Sequence, residues 1–242
     1  MAEAMTIEQL QFQERSNSGT SWTNNEQFDK DGYLVIKDLW DVEELVRPVL
    51  DIRGQINYWG KGTDQFNYTP MEGQVEGSIA TYTHPQYRHI HSGIRLKLEK
   101  VIGRKLYNTY YYDRFYFAGQ GLALHADRPA CEISVSVHIS SNVEECWPLW
   151  IKTPDTYAGP KNQGEIVEHG ESRSVCLEPG DGMIYKGCER PHWREPLESK
   201  HTGNHFIRKL GQKDDTYYHQ VFFHYVLADG TRAQCANDMA RE

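Results

Sequence analysis

His125 and Asp127 stand two residues apart in GLALHADRPACEISVSVHIS, residues 121–140, and His192 follows in PGDGMIYKGCERPHWREPL, residues 179–197. On a strand, residues two apart point to one face, so His125 and Asp127 can address the same point in space. Two imidazoles and a carboxylate on one side of a metal leave three coordination positions open, an arrangement that suits Fe(II). Such a centre can accept a bidentate ketoacid and then dioxygen. An H-x-D pair alone is weak, because a chain with 11 histidines forms such pairs by chance, and the two side chains could instead share a hydrogen bond in a loop. The surroundings strengthen it. A strand-like run precedes the pair, the alternating Ile133, Val135, Val137 and Ile139 follow it, and the turn Pro179-Gly180-Asp181 feeds a strand towards His192.

The elements that must position these residues fall into two halves. Residues 1–20 are polar and aperiodic and are expected to form a mobile leader, with 21–242 a single domain. Asp31-Gly32 reads as a turn before a short strand, Tyr33–Ile36. Asp41 and Glu44 form a D-x-x-E helix start, with Pro48 kinking or shortening the helix that follows. Residues 54–84 carry no helical period and read as a long irregular stretch. Ile90, Ile94, Leu98 and Ile102 recur at i, i+4 and Gly103 follows as a C-cap, which predicts a helix over 85–102. His89 and His91 lie on it, two apart, and are expected at its surface. Beyond Gly103, residues 106–117, 132–140, 174–177, 183–186 and 220–226 read as short strands separated by Gly, Pro, Asn and Asp. Helices in front and antiparallel strands behind predict a mainly β fold with flanking helices (α+β), a double-stranded β-helix or jelly-roll core buttressed by N-terminal helices.

Composition narrows the partners. The net charge is −8 and no run collects five basic residues, which argues against nucleic acid and anionic membranes. Nothing approaches the ~18 apolar residues of a membrane span. The five cysteines are far apart and none forms CxxC, so neither a zinc ribbon nor a secreted disulfide framework is indicated. With no apolar signal segment at the start, a reducing, cytoplasmic setting is expected.

At this point the motifs resemble a family. Residues 28–36, FDKDGYLVI, look like the first strand of phytanoyl-CoA-hydroxylase-like and prolyl-4-hydroxylase-like members of the 2-oxoglutarate/Fe(II)-dependent dioxygenase superfamily. Asp113-Arg114-Phe115-Tyr116, followed by His125-Ala126-Asp127, resembles their tyrosine-bearing strand leading to H-x-D. Pro179 to Pro196 and then Gln220 to Tyr225 resemble the distal half of the same core. The resemblance implies that His125, Asp127 and His192 hold Fe(II). It also implies that O2 oxidises 2-oxoglutarate to succinate and CO2, and that a substrate C–H is hydroxylated. Related halogenases lack the carboxylate, so Asp127 favours hydroxylation. The substrate is open between a peptidyl residue such as proline and a small molecule.

In that family an Arg or Lys holds the distal carboxylate of 2-oxoglutarate, since a planar fork matches a carboxylate. The residue usually lies on the strand after the distal histidine, yet residues 218–226 contain neither Arg nor Lys. Arg194, two residues after His192 and on the same face if extended, is the first candidate, against a surface ion pair with Glu195 or Glu189. Arg208, in the polar stretch 197–216, is the second. Tyr116, Tyr112 and Gln220 are candidates to hydrogen-bond the ketoacid, though each could equally be packing. Cys188 reads as a buried small residue rather than a ligand. His219 and His224 point to opposite faces, so at most one looks inward. Two other classes fit the same motifs: a cupin-like metalloenzyme without a ketoacid, and a jelly-roll binding or virion-type structural module.

Overall fold

The computed structural model describes residues 25–44, 48–50, 56–58, 74–153, 170–201 and 214–238. The expected leader, most of the irregular stretch 54–84, and Arg208 with the centre of 197–216 lie outside them.

A short helix α1 (Glu26–Asp31) is N-capped by Asn25, whose side chain accepts from Phe28 N. Strand β1 (Tyr33–Ile36) follows as expected. The helix expected from Asp41 is only a 3-10 turn, Val42–Glu44, and Pro48 instead opens strand β2 (Pro48–Leu50), paired with β3 (Ile56–Tyr58). Proline has no N–H for a helical bond, and the first residue of a short strand tolerates that lack. After β4 (Ile79–Tyr82), the i, i+4 pattern gives helix α2 (Arg88–Ile102), closed by Gly103 at φ 66.

The remaining strands are β5 (Leu106–Phe117), β6 (Leu122–His125), β7 (Ile133–Ser141), β8 (Leu149–Thr153), β9 (Glu171–Val175), β10 (Gly182–Tyr185), β11 (His192–Arg194) and β12 (Tyr217–Leu227). They form two antiparallel sheets, a six-stranded one in the order β1-β10-β7-β12-β5-β4 and a four-stranded one in the order β6-β11-β8-β9. The chain is thus mainly β with few helices.

One face of the larger sheet takes the apolar stripe of α2. Ile90, Ile94 and Leu98 pack there with Val135, Val137, Val221 and Phe223. His91 lies on that stripe and not at the surface: it is buried against Phe223 and Tyr225, with Nε2 3.1 Å from His224 O. Its spacing to Ile94 and Leu98, i+3 and i+7, puts it on the packed side. The smaller sheet covers the opposite face, where Leu149 and Ile151 meet Met183 and Tyr185. Cys146 and Cys176 form a disulfide, although the cysteine spacing indicates no disulfide framework. The β8–β9 register, with Leu149 opposite Val175, brings them together. No described helix is long and apolar enough to cross a membrane.

Candidate metal centre

The space between the sheets is polar at its middle, and strand β7 shows why. Its odd positions Ile133, Val135, Val137 and Ile139 feed the core beneath α2. The strand alternation therefore turns Ser134, Ser136 and His138 the other way, towards the smaller sheet, up to the register shift opposite His219 and Gln220. From the smaller sheet, β6 ends on His125 and β11 begins on His192. The antiparallel register places these two residues directly opposite each other, with ring centroids 4.3 Å apart. Asp127 follows β6 and is anchored by its own N–H, which donates to Gly187 O at 2.9 Å.

The three side chains converge. One donor atom from each of His125, Asp127 and His192 lies within 4.8 Å of the others. Asp127 Oδ1 is 3.6 Å from each imidazole Nε2. Both rings are oriented from behind: His125 Nδ1 donates to Ala123 O and His192 Nδ1 to Arg190 O, each at 2.9 Å. With hydrogen committed to Nδ1, both Nε2 lone pairs face the centre, the tautomer that a metal needs. Side-chain exposure is 22% for His125, 12% for Asp127 and 3% for His192, so the centre opens on the His125 side.

Electrostatics match. Burial disfavours the Asp127 carboxylate, but His192 and His125 beside it outweigh that and hold its pKa well below the usual range. Burial, and then His125, push His192 down to about 4, so it is neutral near pH 7. Burial also works against a charged His125, yet the hydrogen bond and charge of Asp127 raise its pKa above the ordinary value.

Arg194 shares the inward face of β11 with His192, while Trp193 between them faces outward against Trp150. Two strand residues span about 6.8 Å, the scale of a five-carbon diacid. The buried Arg194 guanidinium donates through Nη1 to Trp147 O and lies over the rings of Trp147 and Tyr218, at 4.4 and 5.0 Å. Its Nη2 is buried with no acceptor at full hydrogen-bond geometry among the described residues, although the Tyr218 hydroxyl interacts with the guanidinium. No ion pair with Glu195 or Glu189 forms; Glu195 accepts from Trp193 Nε1 instead.

Tyr116 and Tyr112 both face inward from β5, with Arg114 between them. Arg114 Nη1 donates to Tyr116 Oη and its Nη2 to Gln74 Oε1, each at 3.0 Å. Tyr112 is stacked between Tyr82 and Phe222, which makes it packing. Gln220 donates from Nε2 to Ser136 Oγ and leaves Oε1 buried without a partner among the described residues. His219 and His224 do face opposite ways: His219 pairs with Asp113 at 2.9 Å, whereas His224 looks inward at Ser134.

Ser134 and His138 are interior polar residues that the sequence motifs do not single out, and Arg114 and His224 gain a place in the interior that the motifs do not assign. The signal for Ser134 and His138 was present, in the even positions of the β7 alternation. Burial pushes His138 down to about 4, and its Nδ1 donates to Leu177 O at 2.8 Å. A second group of possible ligands, Asp127, Cys131 and His224, shares Asp127 with the first. Burial and the adjacent Asp127 keep the Cys131 thiol protonated, which makes it a poor ligand. Cys188 is buried, as expected, and its thiol donates to Arg128 O.

No family model and no curated protein matches the chain. Solved structures do share its fold. SnoN, a non-heme alpha ketoglutarate dependent epimerase from nogalamycin biosynthesis, is 14% identical at a TM-score of 0.55, with 92% of this chain and 83% of that chain covered. SnoN with Fe3+, alpha ketoglutarate and nogalamycin RO aligns at 0.53. HygX from Streptomyces hygroscopicus, with nickel, 2-oxoglutarate and hygromycin B bound, is 11% identical at 0.52, with 85% and 86% covered. The structural neighbours are thus of the 2-oxoglutarate, Fe(II) oxygenase kind that the sequence motifs resemble.

Proposed function

We propose that this chain is a non-haem Fe(II), 2-oxoglutarate-dependent dioxygenase on a double-stranded β-helix, with His125, Asp127 and His192 as the iron ligands. The observation that carries the reading is the convergence of three correctly tautomerised donors beside Arg194, whose Nη2 is buried without an acceptor at full hydrogen-bond geometry among the described residues. The donor chemistry fits Fe(II): two neutral imidazoles, one ionised carboxylate and open positions on the His125 side. Bound iron with 2-oxoglutarate and O2 supplies oxidation of a substrate C–H, with succinate and CO2 as co-products.

The chain's own residues do the rest. Arg194 takes the distal carboxylate of 2-oxoglutarate through Nη2, and the Trp147 and Tyr218 rings fix its plane and exclude water. Arg114 is a weaker choice because Tyr116 and Gln74 already occupy two of its donors. Tyr116 keeps its own O–H to donate into the interior. Gln220 presents an acceptor, so its contact with a carboxylate requires the flipped amide. Of the two substrate classes the sequence leaves open, a small molecule has the firmer support, from SnoN and HygX.

Anaerobic titration of Fe(II) and 2-oxoglutarate tests this, read by the weak visible charge-transfer band of a chelated ketoacid. The band is expected in wild type and absent in His192→Ala. Metal binding without the band would reject the ketoacid and leave the cupin-like and structural readings.

A further inference from the structure

Behind Asp127, on the side away from the two imidazoles, lies a chain of buried polar groups that metal ligation does not use. Ser134 Oγ is 2.7 Å from Asp127 Oδ2, and His224 Nδ1 is 3.0 Å from the same Oγ. Ser134 and His224 are 0% and 2% exposed, so water does not compete for these bonds.

The protons on this chain can be placed by counting. An ionised carboxylate only accepts, and a serine hydroxyl has one hydrogen to give. Cys131 O, at 3.2 Å, and the Tyr185 hydroxyl are also near, but the shorter contact to a charged acceptor takes the hydrogen. Ser134 therefore donates to Asp127. His224 then cannot receive that hydrogen and must donate its own from Nδ1 to Ser134 Oγ. The direction is set along the whole chain, from His224 through Ser134 to Asp127.

The backbone makes room for it. A Cβ at Gly187 would fall 2.3 Å from Asp127 Oδ2, 2.6 Å from Ser134 Oγ and 2.4 Å from Cys131 O. No side chain fits there, and Gly187 O meanwhile holds the Asp127 N–H.

We propose that Ser134 and His224 are positioning residues that tie down Asp127 Oδ2, so that Asp127 offers the metal one oxygen, Oδ1, and not two. The consequence is stoichiometric. A one-oxygen carboxylate keeps three positions open, whereas a two-oxygen carboxylate would take one of them from the ketoacid or O2. The proposal rests on the metal-centre reading above.

The test uses Co(II) alone as probe, under anaerobic conditions, on the full chain. Affinity is measured by chelator competition and ligand number by the visible d–d bands. The variants are Ser134→Ala, His224→Gln and His224→Asn. Asparagine places an N–H near the position of Nδ1, and glutamine places it near Nε2 instead. Loss of an outer-shell partner costs about 10–100-fold in metal affinity. Ser134→Ala and His224→Gln are therefore expected to weaken Co(II) binding by that factor and to change the d–d bands. His224→Asn should lose less than about 10-fold, the lower end of that range, with its bands unchanged.

Equal affinities and spectra for His224→Asn and His224→Gln, or a Ser134→Ala variant that matches wild type, would overturn the relay and leave the metal centre standing. Wild type that binds no better than His192→Ala would overturn the metal centre and the relay together. Thermal unfolding of each metal-free variant separates loss of fold from loss of positioning.

Discussion

Replacing Arg194 with Met keeps most of its apolar stem against Trp147 and Tyr218 and removes the charge. Arg194 is 3% exposed, so its partner would be desolvated along with it. A hydrogen bond to a charged group contributes about 1.5–3 kcal/mol, and truncating one member of a buried charged pair costs about 3–5 kcal/mol. Taking about 3–4 kcal/mol, at about 1.4 kcal/mol per factor of ten, the Kd for 2-oxoglutarate should rise about 10²- to 10³-fold. Metal affinity should hardly move, because Arg194 contacts none of the three ligands. The assay is anaerobic titration of the Fe(II)-loaded variant with 2-oxoglutarate, followed at the charge-transfer band. Arg194→Lys should fall between, since it restores charge without the fork. A shift below about fivefold, well under the roughly 2 kcal/mol expected of even one charge-assisted bond, would refute the assignment. A larger effect from Arg208→Ala would move the carboxylate clamp there.

Other expectations follow from the same geometry. Metal must displace a proton from His125, whose pKa is raised, but none from His192 near neutral pH, since burial holds that residue at about 4. Co(II) affinity should therefore climb by up to about tenfold per pH unit below the His125 pKa, which lies above 6.5, and level off beyond it. A two-proton slope in a pH series of chelator competitions would contradict this. Gly187→Ala should cost about 1–3 kcal/mol through overpacking and weaken metal binding as well, read by thermal unfolding and Co(II) titration. Unchanged values for both would mean the backbone yields there. Cys146 and Cys176 are 30 residues apart, and closing a loop of that size stabilises by about 3–4 kcal/mol. Urea midpoints should thus fall on adding reductant, while Cys146→Ser should be insensitive to it.

The parts of the fold visible in the sequence were those where one local rule dominated. The β5 pattern, 106–117, coincides with the strand, and α2 with its Gly103 cap follows the i, i+4 stripe. Strands β6, β8 and β11 are three to five residues long, too short for alternation to register, and their pairing is a property of the sheet. The same limit hid Cys146–Cys176, which depends on the β8–β9 register. The helix expected through Pro48 is absent because a D-x-x-E start specifies only the first turn, here Val42–Glu44. His91 is buried where exposure is expected because the packed side of α2 reaches it, and a separation of two residues from His89 does not exclude that. At the site, spacing brought out His125, Asp127, His192 and Arg194. His224 was legible only as one of two strand histidines that could face inward, and its contact with Ser134 was not, because the two meet only across the β7–β12 pair, 90 positions apart.

The alternation of β7 divides labour by parity. Odd positions 133–139 belong to the core under α2, and even positions 134–138 to the interior beside the metal centre. Substitution at the even positions can therefore explore new chemistry at little cost to the core. Deletion or insertion of one residue exchanges the two sets at a stroke, and presents valines to the centre and serines to the helix. A library meant to redirect this protein should randomise Ser136 and His138 and leave the length of the strand alone.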